Sequence, residues 1–185
     1  MLDLPIDRVY VVPRNGYANR LQAWASGAIL AAQLDAPVRV AWEPEEVAAA
    51  AASDLFDSRV VATSFADSRE LVDLLGMPHM ELPRYLTYLE SRDVIVLAGH
   101  DRGEQTFMDD LQGLVSQLER PATLVVIAGG KFHLPGSGDF EQQRRVFYQG
   151  LRWSAAIEHA YKSSTAQREE WVALHIRQTD RSLEA

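Results

Sequence analysis

The stretch RVYVVPRNGYANRLQAWASGAILAAQLDAPVRVAW, residues 8–42, changes its hydrophobic period twice, and those changes set the fold class. Arg8 to Val12 is a β-branched run stopped by Pro13 and the turn formers Asn15 and Gly16, so a strand meets a loop. From Ala18 to Leu34 the apolar residues Leu21, Trp24, Ala25, Ala28, Ile29 and Ala32 recur at helical spacing, and Asp35 with Pro37 closes the segment. Val38 to Trp42 returns to strand character and halts at Pro44. Strand, loop, helix, strand is a βαβ unit, which implies a parallel pair joined by a right-handed crossover.

The rest of the chain continues the alternation. Glu45 to Ala52 is alanine-rich and is expected to be helical, Arg59 to Ala62 has short-strand character, and Asp67 to Leu75 reads as a helix ended by Gly76 and Pro78. Met77 to Arg92 fits neither period and is expected to be a loop with a turn of helix at most. Asp93 to Ala98 and Ala122 to Ala128 are continuous apolar runs, the pattern of parallel strands covered on both faces. Phe107 to Leu118 between them is an amphipathic helix, and a glycine-rich loop, Gly129 to Gly138, follows the second run. Asp139 to Tyr148 and Ser154 to Lys162 read as helices. Trp171 to Ile176 reads as a last strand, either the first of a second domain or an edge strand of the first sheet.

Composition narrows the function classes. The 185 residues are 47% hydrophobic and 24% charged, an ordinary globular balance. A formal net charge of -8 argues against a nucleic-acid binder, which needs clustered Lys and Arg to displace counterions. With no cysteine, disulfides, thiol nucleophiles and Cys-based zinc sites are excluded. The start MLDLPIDRVYVVPRN has no basic segment followed by a long apolar one, and no run approaches the roughly 18 apolar residues of a membrane span. A soluble, cytoplasmic chain is expected.

Two segments carry candidate chemistry. Arg14 to Arg20 lies where a strand hands over to a helix, so its backbone N–H groups and the helix dipole favour an anion there, with Asn19 and Arg20 adding an amide and a guanidinium. The alternative is ordinary capping, with Asn15 and Gly16 serving the turn and Arg20 solvated. Near the other end, His175, Arg177, Thr179 and Asp180 follow the apolar run Val172 to Leu174 at strand spacing. Arg177 could neutralise charge on a leaving diphosphate, His175 could orient a phosphate or hydroxyl, and Asp180 could hold Arg177. The alternative is a surface strand end.

GYANRLQAWASGAILAAQLDAPVRVAWEP (16–44) and WVALHIRQTD (171–180) together resemble the superfamily of α1,2-, α1,6- and protein O-fucosyltransferases, and FYQGLRWSAAIEHAYK (147–162) resembles the helical connection that precedes its second motif. In that superfamily the first motif is a Gly-x-Gly-Asn or similar loop and the second is His-x-Arg-x-Gly/Thr-Asp. The resemblance implies an α/β fold: a Rossmann-like, three-layer domain with a mostly parallel sheet, forming the N-terminal half of a two-domain glycosyltransferase. Residues 1–165 would be that acceptor-side domain, and 166–185 the first strand and motif of a truncated nucleotide-sugar domain. It also implies inverting transfer of a sugar, fucose by resemblance, from a GDP-sugar such as GDP-fucose to a hydroxyl of a glycan or other acceptor, with no metal or other cofactor. Asn19 and Arg177 then fall at catalytic positions, and Gly16, Arg20, His175 and Asp180 at the donor and its phosphates. Ala18 stands where the family has a second glycine, so a positive φ there would be strained. Gln178 and Thr179 depart from the residues common at those positions. The residues that read the base would lie beyond Ala185, so an incomplete enzyme is expected.

Other groups carry less. Asp101, Glu104, Asp109 and Asp110 after Gly99 and His100 could include an acceptor base or could be a solvated acidic lead into a helix. His79, His100, His133, His159 and His175 are scattered without metal-ligand spacing. Trp42, beside Glu43 and Pro44, could line an acceptor groove. A rival reading is a non-catalytic α/β binding or assembly domain, and a third is a phosphosugar enzyme using the Gly129 to Gly138 loop.

Overall fold

The computed structural model describes residues 4–57, 64–78, 87–89, 93–98, 104–116, 118, 120–132 and 139–165. In chain order its elements are β1 (Ile6–Pro13), α1 (Tyr17–Leu34), β2 (Val38–Val40), α2 (Ala52–Leu55), β3 (Ser64–Phe65), α3 (Ser68–Leu75), β4 (Thr87–Leu89), β5 (Val94–Ala98), α4 (Glu104–Val115), β6 (Ala122–Ala128), α5 (Phe140–Gly150) and α6 (Ala155–Thr165). The described strands form one six-stranded sheet in the order β3-β2-β1-β6-β5-β4. Every pairing is parallel except β4 with β5. The chain is therefore α/β with a mostly parallel sheet.

Strand periodicity sorts the core into two layers. Val9 and Val11 of β1, Val40 of β2, Ile95 and Leu97 of β5, and Leu124 and Val126 of β6 share one cluster with Trp24 and Leu30 of α1 and Leu111 and Val115 of α4. The residues between them, Tyr10, Val12, Val94, Val96 and Val125, face the other way and pack with Leu71 and Leu75 of α3. Successive strand side chains point to opposite faces, so continuous apolar runs such as ATLVVIA are what a sheet buried on both sides needs. The centre of the sheet is the β1–β6 pair, in register from Arg8↔Thr123 to Pro13↔Ala128.

Helix α1 lies unusually close to β1. A Cβ added at Gly27 would come within 2.1 Å of Val11 Cγ2 and 3.3 Å of Val11 Cβ, so only a glycine allows this separation. Three residues earlier, Trp24 is fully buried and meets Trp42, Phe56, Phe65 and Phe147 edge-on, with centroids 5.1 to 6.3 Å apart. Edge-to-face rings contribute beyond their buried area, and this cluster joins α1 to segments on both sides of it. The helix ends where Asp35 turns left-handed, φ 53°, and Ala36 N–H returns to Ala31 O at 3.0 Å.

On the opposite face, the Tyr10 hydroxyl donates to Glu70 Oε1 at 2.5 Å, and Arg39 donates to Glu70 Oε2 at 2.7 Å and to the Phe65 carbonyl at 2.9 Å. Burial, reinforced by the bond to Glu70, pushes the Tyr10 phenol above its usual value. Helix α3 starts at Asp67, whose carboxylate accepts from Glu70 N–H, and ends at Gly76 with φ 76°, both as its sequence suggests.

Two expectations fail. Glu45 to Ala52 is not helical: Glu45 and Ala48 exchange backbone hydrogen bonds across a tight turn, and helix is confined to α2. Alanine's preference is worth only tenths of a kilocalorie per residue over ordinary helix formers. Here it is overridden by Trp42 Nε1–H donating to Ala50 O and Ala50 N–H donating to the Tyr17 hydroxyl. Second, the stretch expected to be loop contains β4, paired antiparallel with β5 from Thr87↔Val96 to Leu89↔Val94. Three residues are too few to show a period. Arg59 to Ala62 lies outside the described residues.

The close approach at Gly27 predicts that Gly27→Ala loses about 2 kcal/mol of stability to overpacking, despite the roughly 1 kcal/mol that alanine offers a helix interior. Urea unfolding measures it; an unchanged or higher midpoint would contradict the packing.

Candidate functional site

The carboxyl ends of β1, β2 and β6 converge on the start of α1. At the end of β1, Arg14 N–H donates to Ala128 O at 2.8 Å, and the Asn15 side chain donates to Gly129 O at 3.1 Å, tying the first loop to the loop after β6. Asn15 takes the left-handed conformation, φ 67°, which asparagine tolerates better than most residues.

Gly16 is the N-cap of α1 with extended backbone, φ -66° and ψ 166°, and no side chain caps the helix there. Among the described residues, a Cβ at Gly16 would meet nothing within 4 Å, so open space adjoins the N-cap of α1. Ala18 sits in that helical turn and has no positive φ, so the strain expected at the missing second glycine does not arise. Asn19 is half-buried, and among the described residues its amide has no hydrogen-bond partner.

Arg20 is placed differently from the expectation. It is fully buried, not solvated and not presented to a phosphate. Its Nε donates to Asn15 O at 2.8 Å, one terminal nitrogen donates to Glu43 O, and the other lies 3.0 Å from Glu45 Oε2 as an ion pair without hydrogen-bond alignment. The guanidinium also sits 5.4 Å from the centroid of the Trp42 ring. Arg14 pairs with the other Glu45 oxygen, so one carboxylate bridges two arginines. The physical reason for the correction is desolvation: a charge sealed from water needs internal partners, and Arg20 finds two carbonyls for its hydrogen bonds and the Glu45 carboxylate for its charge. It positions the loop.

Trp42, a candidate for an acceptor groove, is 6% exposed; the ring that shows to solvent is Tyr17, 40% exposed and stacked on Trp42 at 6.4 Å with an 18° interplanar angle. Sequence reasoning passed over Tyr17 as part of a motif. Glu45 gave no signal either, because its partners Arg14 and Arg20 are distant along the chain and charge pairing at that separation has no sequence period.

The second expected cluster, His175, Arg177, Thr179 and Asp180, lies outside the described residues, as do Trp171 to Ile176, His100, Asp101 and His133. Asp109 and Asp110 lie on α4. Among the described residues there is no cluster of three or more acidic or histidine side chains that could hold a metal, and no helix long and apolar enough to cross a membrane.

A further polar group sits on α5, around an open depression of about 420 Å³ lined by Glu141, Arg144, Arg145, Tyr148 and Gln149. Arg144 reaches both Glu141 oxygens at 3.1 and 2.9 Å and the Tyr148 hydroxyl at 2.9 Å, between the Phe140 and Tyr148 rings. At Glu141 desolvation is the largest single influence and would raise the pKa, but the charges and hydrogen bonds of Arg144 and Lys131 together hold the carboxyl below its ordinary value.

No protein-family model and no curated protein matches the sequence. Among solved structures, the chain is similar to the NodZ alpha-1,6-fucosyltransferase soaked with GDP-fucose, at 14% identity and TM-score 0.46, covering 88% of this chain and 56% of that one. It is similar to the fucosyltransferase NodZ from Bradyrhizobium, at 14% identity and TM-score 0.42, covering 87% of this chain and 56% of that one. A third is NodZ co-crystallized with GDP, at 13% identity and TM-score 0.42, covering 87% and 57%. The chain thus spans little more than half the length of these structures.

Arg20→Lys, which keeps the charge but loses the fork, is expected to destabilise the protein by about 3 kcal/mol, since an ammonium cannot reach the Asn15 and Glu43 carbonyls and the Glu45 carboxylate together. Thermal unfolding checks this; a loss under about 0.5 kcal/mol, the scale of an ordinary surface substitution, would show the guanidinium to be dispensable.

Proposed function

We propose that the chain is the acceptor-side part of a fucosyltransferase-like glycosyltransferase that moves a sugar, fucose in the leading reading, from a GDP-sugar to an acceptor hydroxyl with inversion. The supporting observation is the uncapped start of α1, with open space over Gly16 and an unengaged Asn19 amide, at the carboxyl ends of β1 and β6. Open α/β sheets bind ligands at the carboxyl ends of their strands, and free first-turn N–H groups suit a phosphate or a developing alkoxide. The ordered pair of sequence motifs supplies the reaction class.

In this reading the acceptor oxygen attacks the anomeric carbon while the bond to the donor's β-phosphate breaks, GDP departs and the hydroxyl proton passes to solvent. Asn19 hydrogen-bonds the reacting acceptor or phosphate, with Gly16 leaving room for it. Arg177, from the second motif, offsets the charge on the departing diphosphate, with His175 and Asp180 at the donor. Arg20 acts by holding the loop rather than by touching the donor. The reaction needs no metal, and the chain works in a reducing, cytoplasmic setting consistent with the lack of cysteine.

Calorimetric titration of the full-length protein with GDP-fucose, GDP and GDP-mannose tests the reading. Binding of GDP-fucose, weakened about tenfold or more by Arg177→Ala, is expected, a change of about 1.4 kcal/mol. No heat with any of the three nucleotides would overturn it in favour of a non-catalytic domain.

A further inference from the structure

The Tyr17 ring is held on two sides before any ligand arrives. One face stacks on Trp42 at 6.4 Å, and its hydroxyl accepts a hydrogen bond from Ala50 N–H at 2.8 Å. Trp42 is itself anchored through Nε1–H to Ala50 O at 3.1 Å, and its ring lies 5.4 Å from the Arg20 guanidinium. A side chain fixed in this way loses little rotamer freedom on binding, so a contact made there keeps most of its strength. Yet the residue is 40% exposed and adjoins Gly16, over which there is open space.

A flat aromatic surface at the first turn of a helix, with the Arg14–Glu45 pair in the adjoining loops, has a definite complement. A pyranose presents an apolar face of C–H groups and a rim of hydroxyls, which match the ring and the planar polar groups respectively. We propose that Tyr17 is the platform on which a sugar ring of the acceptor stacks, beside the space over Gly16. The inference rests on the glycosyl-transfer reading for its biological role, while the contact itself is independent of any donor. It makes Tyr17 an acceptor-orienting residue.

Saturation-transfer NMR and titration with cellobiose, lactose and, separately, GDP test it without requiring turnover. Wild type should show transfer to C–H protons of a disaccharide. Tyr17→Leu, which retains apolar cover over Trp42 but no aromatic face, should weaken disaccharide binding about tenfold or more, while Tyr17→Phe stays within about threefold and GDP affinity is unchanged. Far-ultraviolet circular dichroism and the melting curve establish that both variants fold, and Tyr17→Trp replaces Tyr17→Leu if the latter does not, with affinity then expected to hold or rise. Equal disaccharide affinity in wild type and Tyr17→Leu, or no disaccharide binding by wild type, overturns the proposal. Weakened GDP binding in Tyr17→Leu overturns it in favour of a nucleobase platform. GDP binding that is absent throughout, with the disaccharide pattern as expected, would sink the transferase reading and leave the sugar platform standing.

Discussion

A guanidinium sealed from water is expensive unless it is paired, and pairing Arg20 organises this end of the molecule. Because its partners are the Asn15 carbonyl, the Glu43 carbonyl and the Glu45 carboxylate, the loop after β1 and the loop after β2 are pulled onto one residue in the first turns of α1. The same demand explains why an alanine-rich segment with good helix propensity turns sharply at Glu45 to Ala48. The turn delivers Glu45 to two arginines and Ala50 to Tyr17 and Trp42. Below this polar layer, the close contact of Gly27 on Val11 and the rings around Trp24 fix where α1 lies.

The strand–loop–helix–strand opening was legible because each element is long enough to display its period and is bounded by strong punctuation: Pro13 and Gly16, then Asp35 and Pro37. The apolar runs of β5 and β6 were legible for the same reason, being buried on both faces. Their neighbours in the sheet were not. β6 sits between β1 and β5, a placement decided by long-range pairing and not by local pattern. The three-residue β4 was missed because a strand that short, supported by pairing with β5, carries almost no signal of its own.

At the candidate site, residue types were legible and orientations were not. The motif drew attention to Gly16, Asn19 and Arg20 together, but the first turn of a helix points its side chains in different directions. Asn19 keeps an unengaged amide while Arg20 turns inward and is fully buried. Glycine at position 16 has no positive φ and, among the described residues, no crowding neighbour; it stands at the N-cap, which glycine fills well, and leaves the first turn open. Tyr17 was hidden by its own motif, since an aromatic residue in a loop-to-helix junction reads equally as a lid on the core and as a surface.

On the proposed function, the start of α1 is a reaction site rather than a structural junction. Asn19 separates the two, because its amide supports nothing among the described residues. The decisive measurement is the rate of sugar transfer from GDP-fucose by full-length Asn19→Ala beside its melting temperature. A fall in rate of about 100-fold or more, the scale set by losing a donor to developing charge, with melting within about 2 °C of wild type is predicted. Transfer at the wild-type rate by a normally folded Asn19→Ala protein would contradict it.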